Sequence, residues 1–409
     1  MNHSTTWKQE LTTGWQLLLA ATLGCGMGSA GIVFYSFGLF VMPLQEAFHW
    51  SRGDVTSTMF YGSFGLVLTA PPMGLLVDRV GARPVVLIAI PCLSLMLFLI
   101  ARFNGTLQAF YGLFFLTMVL GTGTTSILYS RVVAGHFDAM RGLALGITLV
   151  GPGTAALVMP PVMQSLIATH GWRVGFLVLA GLVVVPWFFV LRWLEAPPVA
   201  TAKPEPVGPG RLAAFATRTF WILVLGFGAA AVACSALLVH MVPMLRDAGF
   251  EGMAAARIAS LIGCGVIVGR IGIGWLIDRL FAPYVAAVVF LITATGCAML
   301  ATFGMSMAPL SAILIGFSFG AEVDLIAYLT SRYFGFRHYG FLFATVYAFF
   351  WVGASLGPLV AGRLYDHYGN YHIALGLVVA LLIFAAAAAA SLPRFLMSRS
   401  PEMMFTAEL

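Results

Sequence analysis

The sequence predicts an all-α membrane protein whose twelve transmembrane helices form two pseudo-symmetric six-helix bundles. Three observations predict it. The 409-residue chain is 60% hydrophobic and only 9% charged, with mean hydropathy +0.97, whereas soluble globular chains carry about 25% charged residues. Twelve apolar runs of membrane-crossing length follow one another. A motif closing the second run, GLLVDRV at Gly74–Val80, returns two hundred residues later as GWLIDRL at Gly274–Leu280, closing the eighth.

A helix crosses a bilayer with about 20 mostly apolar residues. The runs lie at 14–43, 55–77, 84–101, 107–130, 142–167, 174–194, 219–245, 255–277, 284–303, 308–330, 341–364 and 372–393. Each is expected to be helical, because lipid offers backbone groups no hydrogen-bond partner. The first run exceeds the apolar core of a signal peptide, roughly 7–15 residues, and is expected to remain as a span. The stretch 195–218, containing EAPPVATAKPEPVGPG, is rich in proline and glycine and reads as a linker. It divides the chain into an N-terminal bundle at 1–194 and a C-terminal bundle at 219–409 with a short tail.

Twelve crossings place both termini on one side. With the N-terminus in the cytoplasm, the inside residues are Lys8, Arg79, Arg83, Arg131, Arg141, Arg192, Lys203, Arg211, Arg218, Arg279, Arg332, Arg337, Arg394 and Arg399. The outside set is Arg52, Arg102, Arg173, Arg246, Arg257 and Arg363, and Arg270 lies within a span. Fourteen against six, with Arg270 completing the 21 cations, favours cytoplasmic termini and a cell (inner) membrane location.

Composition also excludes. Clustered basic stretches interleaved with aromatics are missing, so nucleic acid is not an expected partner. Cys25, Cys92, Cys234, Cys264 and Cys297 all fall in apolar runs without C-x-x-C spacing, which argues for packing residues and against a disulfide framework or a metal site. No phosphate-binding loop occurs, so ATP is not the expected fuel. Catalytic groups do not cluster at one membrane face, so no enzyme and no cofactor are expected. The lipid bilayer is the expected partner, around a monomer.

Two halves in parallel repeat, with sites near the bilayer midplane, form a transporter plan. Other correspondences support the repeat: Ser130-Arg131 with Ser331-Arg332, and His170-Gly-Trp172 with Tyr368-Gly-Asn370. The stretch Gly74-Leu-Leu-Val-Asp-Arg-Val-Gly-Ala-Arg83 resembles the loop 2–3 signature of the major facilitator superfamily, with a decayed second copy in which Gly81-Ala82-Arg83 becomes Phe281-Ala282-Pro283. The resemblance covers essentially the whole chain. An Asp-Arg pair at a helix end can lock a neighbouring terminus in one state. Asp78, Arg79, Arg83, Asp278 and Arg279 are therefore candidate gating residues, weighed against a role as topology anchors only.

A finer resemblance is to the monocarboxylate transporter family, including its bacterial branch, near the oxalate–formate antiporters. It rests on Phe37-Gly-Leu-Phe-Val-Met-Pro-Leu44 leading to Phe48-His-Trp-Ser-Arg52, and on His136-Phe-Asp-Ala-Met-Arg-Gly-Leu-Ala-Leu-Gly146 continuing to Gly151. It rests further on Gly269-Arg270 before Gly272 and Gly274, and on Gly357-Pro-Leu-Val-Ala-Gly362 to Asp366. The sequence departs at Ala139 and Met140, where basic residues are usual in the family.

Three charges sit well inside spans: Arg270, Glu322 and Asp324. Each costs about 2.5–3.5 kcal/mol at a helix centre on insertion scales, so each is expected to face a cavity or a partner. The resemblance makes Arg270 the anchor for a substrate anion; a guanidinium grips a carboxylate with two parallel hydrogen bonds. The alternative is a permanent interhelical ion pair. Animal-branch members often carry an acid one turn before that arginine, where this chain has Val266. Glu322 and Asp324 are two residues apart and cannot share a helix face. The Asp324 face carries Gly316, Gly320 and Tyr328, whereas the Glu322 face carries Ser318, Ile326 and Leu329. Asp324 is therefore the expected resting partner of Arg270 and the expected proton acceptor, with Glu322 as the rival.

The lysine that oxalate–formate antiporters carry in the eleventh span has no counterpart here; Thr345-Val-Tyr-Ala-Phe-Phe-Trp351 is aromatic instead. One buried cation suits one carboxylate, and aromatic walls suit an organic tail. Tyr35, Tyr129, Tyr328, Tyr347 and Trp351 are candidate lining groups, each weighed against ordinary packing. His240 is read either as a polar gate or as a packed neutral histidine. The expected function is secondary active transport of a small organic monocarboxylate, by proton-coupled symport and alternating access. The alternatives are an exporter or anion exchanger of the same superfamily, or a transport-like membrane receptor.

Overall fold

The computed structural model describes residues 7–137, 141–194, 214–277, 279–334 and 339–394. Among them there is no strand, and helices account for nearly everything. Ten segments are long and apolar enough to cross a membrane; one of these, Ala282–Phe334, holds two crossings joined at Gly304–Met307. With Arg52–Val80, the crossings number twelve.

In the N-terminal bundle they are Trp7–Phe48 (first), Arg52–Val80, Ala82–Ala101, Leu107–His136 (fourth), Arg141–His170 and Trp172–Trp193. In the C-terminal bundle they are Arg218–Asp247 (seventh), Gly252–Ile277, Ala282–Phe303, Ala308–Phe334, Tyr339–Tyr368 and His372–Ala390. The ends follow local chemistry. Ser51 and Asp54 close a capping box on the second helix, and the Thr217 hydroxyl accepts from Phe220 N at the seventh. Gly81, at φ 84°, makes the one-residue turn between the second and third helices, a conformation open mainly to glycine. The decayed second copy has Phe281 at φ −67°, which any residue adopts.

The first apolar run is not one uniform helix. It is α-helical over Trp7–Met27, π-helical over Ser29–Val33 and α-helical again over Phe34–Phe48. The fourth crossing also breaks, with a 3-10 turn at Thr122–Thr124. The two breaks meet. Ser29 N donates to Thr124 Oγ1 at 3.0 Å, and Ser29 Oγ donates to the Gly121 carbonyl at 3.1 Å. Backbone groups freed within the membrane are thus satisfied by the neighbouring break and its hydroxyls. Apolar periodicity carries no signal for such an interruption.

The bundles meet along two main seams, fifth helix on eighth and second on eleventh, with Phe34–Phe48 against the seventh. Outward faces are apolar: Ile88, Phe188, Val268 and Ile271 are each more than half exposed. This is the surface that lipid covers.

Candidate functional site

The eighth and tenth helices approach backbone to backbone. A Cβ on Gly316 would come within 2.0 Å of the Ile262 carbonyl oxygen, and one on Gly265 within 2.1 Å of the Ile313 oxygen. Only glycine permits this approach. It brings Arg270 and Asp324 together, with Arg270 Nη1 3.5 Å from Asp324 Oδ1. The contact is long for a hydrogen bond, so the pair is a loose one. Arg270 Nε is buried and, among the described residues, unpartnered. Val268, Ile271 and Trp275 form the exposed lipid face of the eighth helix, whereas the Arg270 side chain is 11% exposed and turned away from them.

Arg270 reaches the seam between the bundles. Its charge acts on Cys25 and Tyr35 of the first crossing and on Tyr347 of the eleventh. Aromatic rings cover this place on the side away from the termini, hereafter the distal side. Phe34 stacks on Phe319 at 6.0 Å and meets Trp351 edge-on at 5.6 Å; Tyr347 stacks on Phe350 at 5.9 Å. Among the described residues the indole Nε1 of Trp351 has no hydrogen-bond partner. Larger concavities lie elsewhere. One of about 510 Å³ opens distally near Glu46, Gln164 and Arg246, and one of about 660 Å³ lies between the third and sixth helices. Neither is lined by Arg270, Asp324 or Glu322.

The remaining candidates scatter. Glu322 is fully buried inside the C-terminal bundle, beside Cys234; its Oε1 accepts from Ser318 Oγ at 3.0 Å, and among the described residues its Oε2 has no hydrogen-bond partner. Tyr129 is fully buried with its ring against Gly24 and an unpartnered hydroxyl. Tyr328 is half-buried, and the Arg332 guanidinium lies 5.1 Å from its ring centre. Arg83 Nη2 donates to the Leu191 carbonyl at 2.6 Å, within its own bundle. Arg279 folds back onto its own helix, donating to the Trp275 carbonyl at 3.1 Å, with its guanidinium over that indole. Arg79 is exposed at the end of the second helix. The side chain of Asp78, and all of Asp278, lie outside the described residues. The described candidate gating contacts therefore do not bridge the bundles in this conformation.

The bridge lies at the opposite face, on residues to which the sequence assigned no role. Arg52 is 4% exposed and spans the two bundles. Its Nη1 donates to Asp247 Oδ2 at 2.5 Å and to Tyr371 Oη at 2.8 Å, its Nε donates to Gln45 Oε1 at 3.2 Å, and it lies 3.8 Å above the Tyr365 ring. Asp366 accepts from the backbone N–H groups of Arg52 and Gly53 at 3.0 and 2.7 Å. Arg363 pairs with Asp54 at 2.9 Å. Burial holds the Tyr371 phenol well above the usual tyrosine range, against the opposing pull of Arg52, so it keeps its hydrogen. These contacts close the distal face. Arg52 and Asp366 fall inside stretches used above for the resemblance, but sequence spacing cannot pair residues 314 apart.

The model of the Major Facilitator Superfamily matches residues 22–358. The chain belongs to the major facilitator superfamily. Its relatives include "Monocarboxylate transporter 11" of Mus musculus, 29% identical over 406 residues, with 94% of this chain and 89% of the relative covered. "Monocarboxylate transporter 13" of Bos taurus is 26% identical over 403 residues, with 95% and 91% covered. A crystal structure of a D-xylose–proton symporter superposes with a TM-score of 0.77 at 16% identity, covering 92% of this chain and 97% of that one. That likeness speaks for the fold. This superfamily member is thus a multi-pass membrane transporter related to monocarboxylate transporters.

Proposed function

We propose that this transporter carries a small organic monocarboxylate together with a proton, by alternating access of its two bundles. The observation that supports the reading most is the loose Arg270–Asp324 pair, turned from lipid and near enough for the Arg270 charge to act on Tyr35 and Tyr347. A permanent structural ion pair gains from short, multiple hydrogen bonds; this one has a single contact at 3.5 Å and an idle Nε.

At rest Asp324 neutralises Arg270. An arriving carboxylate offers two oxygens and takes the guanidinium bidentately. Asp324 is then a carboxylate without a counter-ion, and a buried charge of that kind is relieved by binding a proton. The loaded site holds Arg270, the substrate anion and a neutral Asp324. Its net charge equals that of the resting site, so rocking moves no uncompensated charge through lipid. Tyr347, Trp351 and Tyr35 offer aromatic surface for the organic tail. Glu322, sealed beside Ser318, remains the rival proton site.

The excess of cations on the terminus side supports cytoplasmic termini and an inner-membrane location. The closed face is then extracellular, and the candidate gate at Asp78, Arg79, Arg83, Asp278 and Arg279 belongs to the opposite phase of the cycle. The reading is of a carrier, with no covalent step and no cofactor.

Uptake of aliphatic, aromatic and 2-hydroxy or 2-oxo monocarboxylates into proteoliposomes tests it. Accumulation driven by an inward proton gradient and abolished by a protonophore is expected. Uptake indifferent to that gradient contradicts the coupling, and binding without flux favours a receptor.

A further inference from the structure

His240 occupies a place in the distal closure that transport of a carboxylate at Arg270 does not use. It sits on the seventh helix, fully buried. Its Nε2 lies 3.0 Å from the Pro358 carbonyl oxygen of the eleventh helix, and its Nδ1 lies 2.9 Å from Tyr371 Oη. A carbonyl only accepts, so Nε2 carries a hydrogen. Tyr371 Oη already accepts from Arg52 Nη1 at 2.8 Å. Its own hydrogen is satisfied by pointing at His240 Nδ1, which must then be bare. The chain of donors runs from Arg52 through Tyr371 and His240 to Pro358, and it closes only with neutral imidazole.

A second proton on His240 breaks that order. Nδ1–H and Arg52 Nη1–H would both point at one phenol oxygen, and the phenol hydrogen would lose its acceptor. Two cations would then flank Tyr371. The acids facing this place are Asp247, on the same helix and already engaged by Arg52, and Asp366, engaged by the Arg52 and Gly53 backbone. Tyr365 from the eleventh helix lies against the Arg52 guanidinium and packs at a tilt on Tyr371. Relief comes by separating Arg52, in the N-terminal bundle, from Tyr371 and His240, in the C-terminal bundle. That separation is the opening of the distal face.

We propose that His240 is a second proton-binding site, distinct from Asp324 and Glu322, and that a proton bound there releases the Arg52–Tyr371 closure. Acid on the distal side then favours the state that admits substrate from that side. The inference needs the transporter fold but not the identity of the substrate.

Hydrogen–deuterium exchange of the full chain in lipid nanodiscs, without substrate, tests it across the range in which histidine titrates, about pH 5 to 8. After correction for intrinsic exchange, acidification is expected to raise exchange about tenfold in the distal ends of the second and seventh helices, the shift of a closed–open equilibrium. In His240→Gln the amide can donate to Pro358 and accept from Tyr371, so these segments are expected to stay protected at every pH. Tyr371→Phe removes the shared oxygen and is expected to raise exchange equally at both ends of the range. A wild-type protein without a pH response, a response that survives in His240→Gln, or neutral-pH protection in Tyr371→Phe equal to wild type overturns the proposal. Loss of proton-driven uptake with this exchange response intact would instead count against the Asp324 coupling.

Discussion

Arg270 on the eighth helix and Asp324 on the tenth face each other at 3.5 Å, held there by helices that touch at Gly265 and Gly316. In the proposed cycle this spacing matters. Two charges this close but joined by one weak contact can separate when a better ligand arrives, whereas a bidentate pair would resist. The side chains are 11% and 27% exposed.

Asp324→Asn keeps a polar group beside Arg270 but cannot give up or take a proton at that position. Substrate exchange across the membrane is expected to persist, while accumulation driven by a pH gradient is lost. Counterflow and gradient-driven uptake in the same proteoliposomes separate the two. Unchanged accumulation in the variant would move the proton site elsewhere.

Glu322→Gln distinguishes the rival. Glu322 is fully buried and bonded to Ser318 within one helix turn. The amide can keep that bond, so pH-driven uptake is expected to remain near wild type. Glu322→Ala strands the Ser318 hydroxyl and is expected to lower stability by about 1–3 kcal/mol, read as a fall in melting temperature in detergent. Loss of coupling in the glutamine variant would make Glu322 the proton carrier.

Gly316→Ala places a methyl group within 2.0 Å of the Ile262 carbonyl oxygen. The eighth and tenth helices must move apart, at an expected cost of about 1–3 kcal/mol. Affinity for substrate is expected to fall with it, because the separation displaces Arg270 from Asp324. A variant as stable as wild type, with unaltered affinity, would contradict this account of the close approach.

Asp247→Ala leaves Arg52 without its carboxylate. Removing one partner of a buried pair costs about 3–5 kcal/mol, and the lower end applies because the Asp247 side chain is 27% exposed. The loss falls on the distally closed state, so protection from exchange at the distal ends of the helices is expected to drop. If protection is unchanged, Arg52 is not what holds this face.

Much of the fold is legible from composition alone. The apolar runs predict the twelve crossings, and structure and sequence agree closely even at the tenth and eleventh, where Ala308–Phe334 and Tyr339–Tyr368 extend the expected 308–330 and 341–364 by a few residues. Periodicity misses the breaks at Ser29–Val33 and Thr122–Thr124, since both segments remain apolar and their freed backbone groups are satisfied by partners more than ninety residues away. The Arg270–Asp324 proximity is readable because few charges occur in the spans and the glycines flanking them mark a close helix pair. The distal closure is not. Arg52, Asp247 and Tyr371 sit near helix ends, where charges are common, and only tertiary structure shows that Arg52 is buried between the bundles. The tyrosines show the limit of residue type as a guide: Tyr347 stands near Arg270, whereas Tyr328 lies against Arg332.

The most direct test of the central claim is equilibrium binding of a transported monocarboxylate to the Arg270→Ala protein, measured by calorimetry beside wild type, with Arg270→Lys as a control that keeps charge but not the bidentate fork. Truncating one member of a buried, hydrogen-bonded charge pair costs about 2–5 kcal/mol. Arg270→Ala is therefore expected to weaken binding at least about thirtyfold, with Arg270→Lys between it and wild type. Wild-type affinity in a folded Arg270→Ala protein would contradict the account.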